Sequence, residues 1–356
     1  MMTTTTGTIT PAAVAASRPV QPMIPVEPGI KLAAQMSPEP GDEDFQFVRQ
    51  MGVDYAVLWT DATKSSAEYY ASRRQLFEQH GIRIYGFGNS DVHNQDAIVL
   101  GGPNQDAKIE EYLRHIRALG QAGIPYTTYA HMGNGIWSTE REQTRGGADA
   151  RAFDLAKAQN GHWHGKTYSL PLTNDREYTE EEVWQNFERF IRRVVPVAEE
   201  AGVRIGIHPD DPPVPTLGGV PRIFSTFDRY VKALEIADSP NLGVCLCAGC
   251  WLEGGEMMGK NVVDAIHHFG RQRKLFKIHF RNIEAPLPHF VETFLDAGYF
   301  DMYQIMKALR TVDFDGVVIS DHIPRMAGGP RAGTAFCIGY MKALLERANE
   351  EAGASR

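Results

Sequence analysis

LGVCLC at residues 242–247 and LFKIHF at residues 275–280 decide the fold, because each short apolar run delivers a metal-ligand side chain near its C-terminal end. Two further runs repeat the device, RIGIHPD at residues 204–210 and GVVISDH at residues 316–322. The side chains so placed are His208, Cys247, His279 and Asp321, and each run is followed by a loop and then a helical stretch. In a parallel β/α barrel, successive strands present their C-terminal residues at one mouth, so four donors far apart in sequence converge on one ion. A metal enzyme is the leading expectation.

The alternation continues outward from these runs. From Gly29 onward, strand-like segments fall at residues 30–35, 55–59, 83–88, 126–130, 204–208, 242–247, 275–280 and 317–321. Eight is the count a closed (β/α)8 TIM barrel requires. Between them lie amphipathic runs such as AKIEEYLRHIRALGQAG, EEEVWQNFERFIRRVVPVAEEAG and MYQIMKALRTVDF, with apolar residues at three- and four-residue intervals. Gly52, Gly81, Gly123 and Gly202 suit helix C-caps. Helix-to-strand links are short, whereas strand-to-helix links are long, above all residues 131–179, which is the pattern of a barrel with an elaborated active-site face. A doubly wound open sheet shows the same alternation, but no G-x-G-x-x-G opens a helix after an early strand, and GGPNQDA at residues 101–107 is merely Gly-rich. The expected organisation is one barrel over residues 29–350, preceded by a disordered or extended tail over residues 1–28.

Composition narrows the function classes. With 43% hydrophobic and 22% charged residues, the 356-residue chain is ordinary for a globular protein with a sizeable core. A formal net charge of −8 and the lack of a basic cluster argue against nucleic acid as a partner. Three of the four cysteines, Cys245, Cys247 and Cys250, crowd into one strand and loop, which suits a reducing compartment and a ligand role rather than a disulfide framework. No apolar run reaches membrane-spanning length, and the Thr/Ala/Pro-rich start lacks the layout of a secretory signal. A cytoplasmic protein is expected.

Residues two apart in a strand share a face, so Cys245 and Cys247 point the same way and only Cys247 reaches the mouth. Cys245 reads as a small buried hydrophobe and Cys250 as loop packing. His208 opens HPDDPP, whose prolines stiffen the turn that holds it. In KIHFRN, alternation puts Lys277, His279 and Arg281 on one face, and a barrel interior holds such a row only against a metal and an anionic ligand or a structural ion pair. Asp321 and His322 suit a ligand beside an acid/base group. His93 and His131, after the third and fourth strands, and Asp210 in HPDDPP are candidate substrate contacts. His162 and His164 flank Trp163 in the longest loop, where a lid or specificity role is conceivable, and His267 and His268 fall on an outer helix as surface residues.

The chain resembles the mannonate dehydratase family, a branch of the xylose-isomerase-like TIM barrels. The resemblance rests on HPDDPP at residues 208–213, GGVPRIFSTF, the Cys-x-Gly of Cys247 and Gly249, IHFRN at residues 278–282, FVETFLDAGYFDMYQIMKAL, SDH at residues 320–322 and IGYMKAL. It continues more loosely through SDVHN and IEEYLRHIRALGQAGI in the N-terminal half. It implies a divalent cation, usually manganese with zinc or cobalt as substitutes, held by His208, Cys247, His279 and Asp321. It implies loss of water from a sugar acid such as D-mannonate to give 2-keto-3-deoxygluconate, with acid/base work near His322. The expected catalytic set is His322 as acid or base, Asp321 beside it in the metal shell, and Arg281 holding the substrate carboxylate. Barrels of this family commonly associate, so a homo-oligomer is compatible. The chain departs from the family at GTAFCIG, residues 333–339, where Phe336 stands nearest a family tyrosine, and in YAHMGNGIWSTEREQTRGGADA after the fourth strand. Those departures keep an alternative in view: a metal-dependent keto-sugar isomerase, epimerase or β-eliminating lyase on a neutral or glycosidic sugar. A sugar-binding barrel without activity has no need of four metal-type strand ends.

Overall fold

The strands form where side chains are apolar on both faces, as a sheet covered on both sides requires. They are β1 Lys31–Met36, β2 Tyr55–Thr60, β3 Arg83–Asn89, β4 Tyr126–Tyr129, β5 Arg204–Ile207, β6 Leu242–Cys247, β7 Leu275–Phe280 and β8 Val317–Ser320. In the computed structural model, which describes residues 22–353, they close in chain order into a parallel barrel, with β8 paired back to β1. The expected TIM barrel is therefore the fold. Eight outer helices follow: α1 Asp42–Gln50, α2 Ala67–Gln79, α3 Gln105–Ala122, α4 Glu180–Ala201, α5 Phe227–Ala237, α6 Val262–Arg271, α7 Met302–Thr311 and α8 Pro330–Glu351.

Alternation along the strands sorts the apolar residues into two packings. Ala34, Ala56, Leu58, Ile84 and Val318 join the large core beneath the helices. Their neighbours Ala33, Val57, Tyr85, Tyr126, Val317 and Ile319 belong to a smaller cluster inside the barrel. Tyr126 fits there because the adjacent strands offer glycine: a Cβ at Gly86 would lie 2.6 Å from its ring, and one at Gly206 would lie 2.5 Å from its hydroxyl.

Helix α4 shows how local sequence sets the frame. Thr179 Oγ1 accepts the Glu182 N–H at 3.2 Å while Glu182 Oε2 accepts the Thr179 N–H at 2.7 Å, a reciprocal cap that contributes roughly 1 kcal/mol. Val183, Phe187, Phe190, Ile191, Val194 and Ala198 make the buried stripe, and Gly202 ends the helix at φ 66°. The tail expected over residues 1–28 lies outside the described residues up to residue 21. Beyond it, the Ile24 N–H donates to Gly202 O at 2.8 Å and Arg204 Nη1 donates to Ile24 O at 2.6 Å, so this stretch is extended along the barrel. No helix among the described residues is long and apolar enough to cross a membrane.

Residues 131–179 are not a plain loop. Ile136–Trp137, Asn160–Trp163 and Lys166–Ser169 form a small antiparallel sheet, and Ala152–Asp154 pairs with His289–Thr293 from the loop after β7. These pairings roof one side of the mouth.

A buried histidine outside the mouth gives the fold a pH signature. His115 on α3 lies with Nδ1 2.8 Å from the Tyr70 hydroxyl and Nε2 3.2 Å from Thr127 Oγ1, which itself donates to Phe87 O. The neutral ring satisfies this chain of bonds, and burial pushes its pKa down to about 3. Unfolded histidine titrates near ~6.5, so the unfolded state alone takes up the proton below that pH. Stability is therefore fully present above ~6.5 and falls by about 1.4 kcal/mol per pH unit for this histidine as pH drops toward its folded value. Denaturant melts at pH 7.5 and 5.0 should show a smaller loss for His115→Gln than for the parent. An equal loss in both would refute the assignment.

Candidate active site

The C-terminal ends of β5, β6, β7 and β8 bring four donor side chains together. His208 Nε2 lies 3.2 Å from His279 Nδ1, Cys247 Sγ lies 3.8 Å from Asp321 Oδ2, and His279 Nδ1 lies 3.7 Å from the same carboxylate oxygen. The donor atoms of Cys247, His279 and Asp321 all lie within 4.8 Å of one another. His208 Nδ1 is 2.7 Å from Pro209 O, so the carbonyl accepts the Nδ1 proton and Nε2 keeps its lone pair. His279 Nε2 lies 3.6 Å from Cys245 Sγ, which fixes the lone pair on Nδ1 in the same way when that sulfur accepts. Two imidazole nitrogens facing each other at hydrogen-bond distance, beside a thiol and a carboxylate, make a donor set that fits a divalent cation. Burial opposes a thiolate at Cys247, but a side-chain hydrogen bond with the Cys250 thiol and the Arg281 charge hold it well below its usual range, and the Cys250 N–H also donates to its sulfur at 3.4 Å. Cys245 is thus more than packing, since it orients His279.

Beneath this set lies a buried ionic network. Arg281, 1% exposed, places Nη2 2.8 Å from Glu253 and 3.3 Å from Asp211, and Nη1 2.9 Å from Glu292 and 3.3 Å from Asp321. Arg151 reaches Asp211 at 2.6 Å and Glu292 at 2.9 Å. Burial and the Asp211 charge raise the Glu253 carboxyl well above its usual range, whereas the two guanidinium groups, with His322 beside Glu292, outweigh burial and lower Asp211 and Glu292. The Arg281 guanidinium also packs against Gly249, where any Cβ would collide with it.

A cavity of about 320 Å³ opens on the donor set. Trp59, Met132, Ile136 and Trp163 supply apolar wall, and His93, Lys277, His322 and the donors His208, His279 and Asp321 supply polar lining. His93 sits between the Trp59 and Trp163 rings at 4.9 and 5.1 Å. Its Nδ1 is 2.9 Å from Thr128 O, so the carbonyl takes that proton and Nε2 is left as acceptor, and burial pushes the ring down to about 3. His322 Nδ1 lies 2.8 Å from Glu292 Oε1 and also touches Arg281, on a backbone at φ 46° that turns the ring away from the strand line. Against the desolvation of burial, Asp321 and Glu292 raise the His322 pKa.

Three expectations from sequence need correction. His131 does not line the cavity: it bonds Tyr129 at 2.6 Å and packs on Phe187 and Phe224, where burial lowers its pKa to about 3. Asp210 turns away as well, accepting the Phe224 N–H at 2.7 Å beside Arg222, while its neighbour Asp211 lines the cavity. The chain turns sharply after β5, so strand alternation no longer says which carboxylate faces in. Arg281 is not free to hold a substrate carboxylate, because its amino groups are already engaged by protein carboxylates. The long loop contributes Trp163 to the cavity, whereas His162 bonds Thr167 at 3.1 Å and His164 pairs with Asp91 at 2.7 Å. Glu253, Glu292 and Arg151 went unrecognised in the sequence; only the DD pair of HPDDPP and the ETF of FVETF carried any signal for this network.

Comparison with known proteins follows the same lines. The family described as D-mannonate dehydratase (UxuA) matches residues 45–348. The chain belongs to the D-mannonate dehydratase family. A mannonate dehydratase of Streptococcus suis is 32% identical over 275 residues, covering 72% of this chain and 73% of the relative. The crystal structure of mannonate dehydratase from Streptococcus suis serotype 2 superposes with a TM-score of 0.79 at 26% identity, over 92% of this chain and 97% of that one. A xylose isomerase domain protein from Planctomyces limnophilus, at 11% identity and a TM-score of 0.60 over 91% and 99%, shares the fold alone. Within the D-mannonate dehydratase family this chain carries Phe336 on α8, packed edge-on against Phe294 at 5.7 Å, and no tyrosine lines the cavity among the described residues.

Proposed function

We propose that the protein is a divalent-metal hydro-lyase that converts D-mannonate to 2-keto-3-deoxygluconate. The observation that carries this reading is the meeting of His208 Nε2, Cys247 Sγ, His279 Nδ1 and the Asp321 carboxylate, three of them lining one cavity with His322 beside them, in a chain of this family. Those four residues would hold the ion, manganese by family resemblance although the thiolate also suits zinc. When bound, such a cation supplies Lewis-acid stabilisation to substrate oxygens as the carbon beside the carboxylate loses its proton.

The side chains supply the rest. Glu292 accepts the Nδ1 proton of His322, which leaves Nε2 as the atom that gives or takes a proton at the substrate. In the charged form that imidazole donates to the departing hydroxyl. Trp59 and Trp163 hold His93 and narrow the water-accessible space, which strengthens every charge interaction inside. Purified protein stripped with a chelator should lose conversion of D-mannonate to a 2-keto-3-deoxy acid and regain it with Mn2+. Saturating Mn2+ at about 100 times its dissociation constant should add about 2.7 kcal/mol to stability. Turnover of keto-sugars with none of D-mannonate would overturn the proposal.

A further inference from the structure

Lys277 is 1% exposed, lies two residues before His279 on β7 and lines the cavity. It is the sole Lys or Arg lining that cavity among the described residues. The other buried or half-buried lysines of the barrel find backbone acceptors: Lys31 donates to Gly29 O at 2.7 Å and Asp315 O at 2.5 Å, and Lys274 to Leu242 O at 3.3 Å. Lys277 Nζ makes no hydrogen bond or ion pair with any described residue. Its Nζ faces the ring of Tyr126, 5.9 Å from the centroid. The charges it feels, Cys245, Asp321 and Cys247, are turned to other partners: Cys245 to His279, Asp321 to His279 and Arg281, and Cys247 to the Cys250 N–H and Asp321.

A buried ammonium is a donor with three hydrogens and no acceptor capacity, and leaving it without an anion is costly. Folding alone gives no reason to keep it at this position. With Arg281 and Arg151 engaged by protein carboxylates, we propose that Lys277 binds the carboxylate of the substrate and so selects sugar acids over neutral sugars at this site. The inference rests on the sugar-acid reading above and deepens it. The carboxylate is the one ionised group of the proposed substrate, and it also receives the charge that builds up when the neighbouring carbon is deprotonated, so the same contact tightens during the reaction.

The test compares parent, Lys277→Met and Lys277→Gln in their Mn2+-loaded forms. Equilibrium binding of D-mannonate should weaken about 100-fold in both variants, the usual scale for deleting one member of a buried charge pair, while binding of the neutral polyol D-mannitol changes less than threefold. Without ligand, Lys277→Met should melt at or above the parental temperature, because it removes an unpaired buried charge; a merely structural lysine would lower it. Equal D-mannonate affinity in parent and variants overturns the proposal. So does loss of Mn2+ from both variants, which would make Lys277 a support of the donor set. Should the parent fail to turn over D-mannonate, binding of a panel of five- and six-carbon aldonates decides: selective loss in the variants sustains the anion role although the dehydratase reading has failed. No aldonate binding by the parent sinks both.

Discussion

Replacing Arg281 by methionine is expected to destabilise the protein by about 3–5 kcal/mol, a large part of the total stability of an ordinary domain. The guanidinium is the hub of the buried network, within 3.3 Å of Glu253, Glu292, Asp211 and Asp321. Methionine fills much of the volume but leaves Glu292 and Asp211, each 1% exposed, with Arg151 as the guanidinium between them. Arg281→Lys restores a charge without the planar fork, so it should recover only part of the loss. Denaturant midpoints of the metal-free proteins measure this directly. A change under about 1 kcal/mol in Arg281→Met would show that the network contributes no more than a surface pair.

His322→Gln should lower kcat by about 10²- to 10⁴-fold, the range that a positioned acid or base contributes. Glutamine keeps a donor toward Glu292 Oε1 but cannot transfer a proton. Because His322 is outside the four-donor set, bound Mn2+ should stay stoichiometric and the KM for D-mannonate should shift only a few-fold. That split separates proton transfer from metal loss, since Asp321→Asn alters the donor set itself and should lose both. Retained kcat in His322→Gln would remove the imidazole from the chemistry and direct attention to His93.

The barrel was legible because each strand carries its own signal. β6, LGVCLC, and β7, LFKIHF, read as strands from local sequence alone, and the observed bounds match those read. The meeting of His208, Cys247, His279 and Asp321 was legible for a topological reason, since parallel strands of a barrel must open on one mouth. What stayed hidden depends on contacts between distant loops. Arg151 lies in the long loop after β4 and Glu292 in the strand His289–Thr293 after β7, and neither has a periodic pattern that points toward Arg281. Asp210 and Asp211 are adjacent and chemically identical, and only the path of the turn decides which one faces Arg281. Trp163 was overshadowed by the two histidines beside it, although an aromatic ring on an antiparallel strand is the better wall for a sugar.

The pairing of Ala152–Asp154 with His289–Thr293 ties together two loops that leave the barrel on different strands, and Arg151 and Glu292 form an ion pair next to that seam. This rim is therefore stitched by backbone bonds and buried charge into a fixed aperture. The indole of Trp163 lines the cavity on the same long loop, and a seam held by backbone bonds loses its ordering entropy once, when the chain folds, rather than when a ligand is bound.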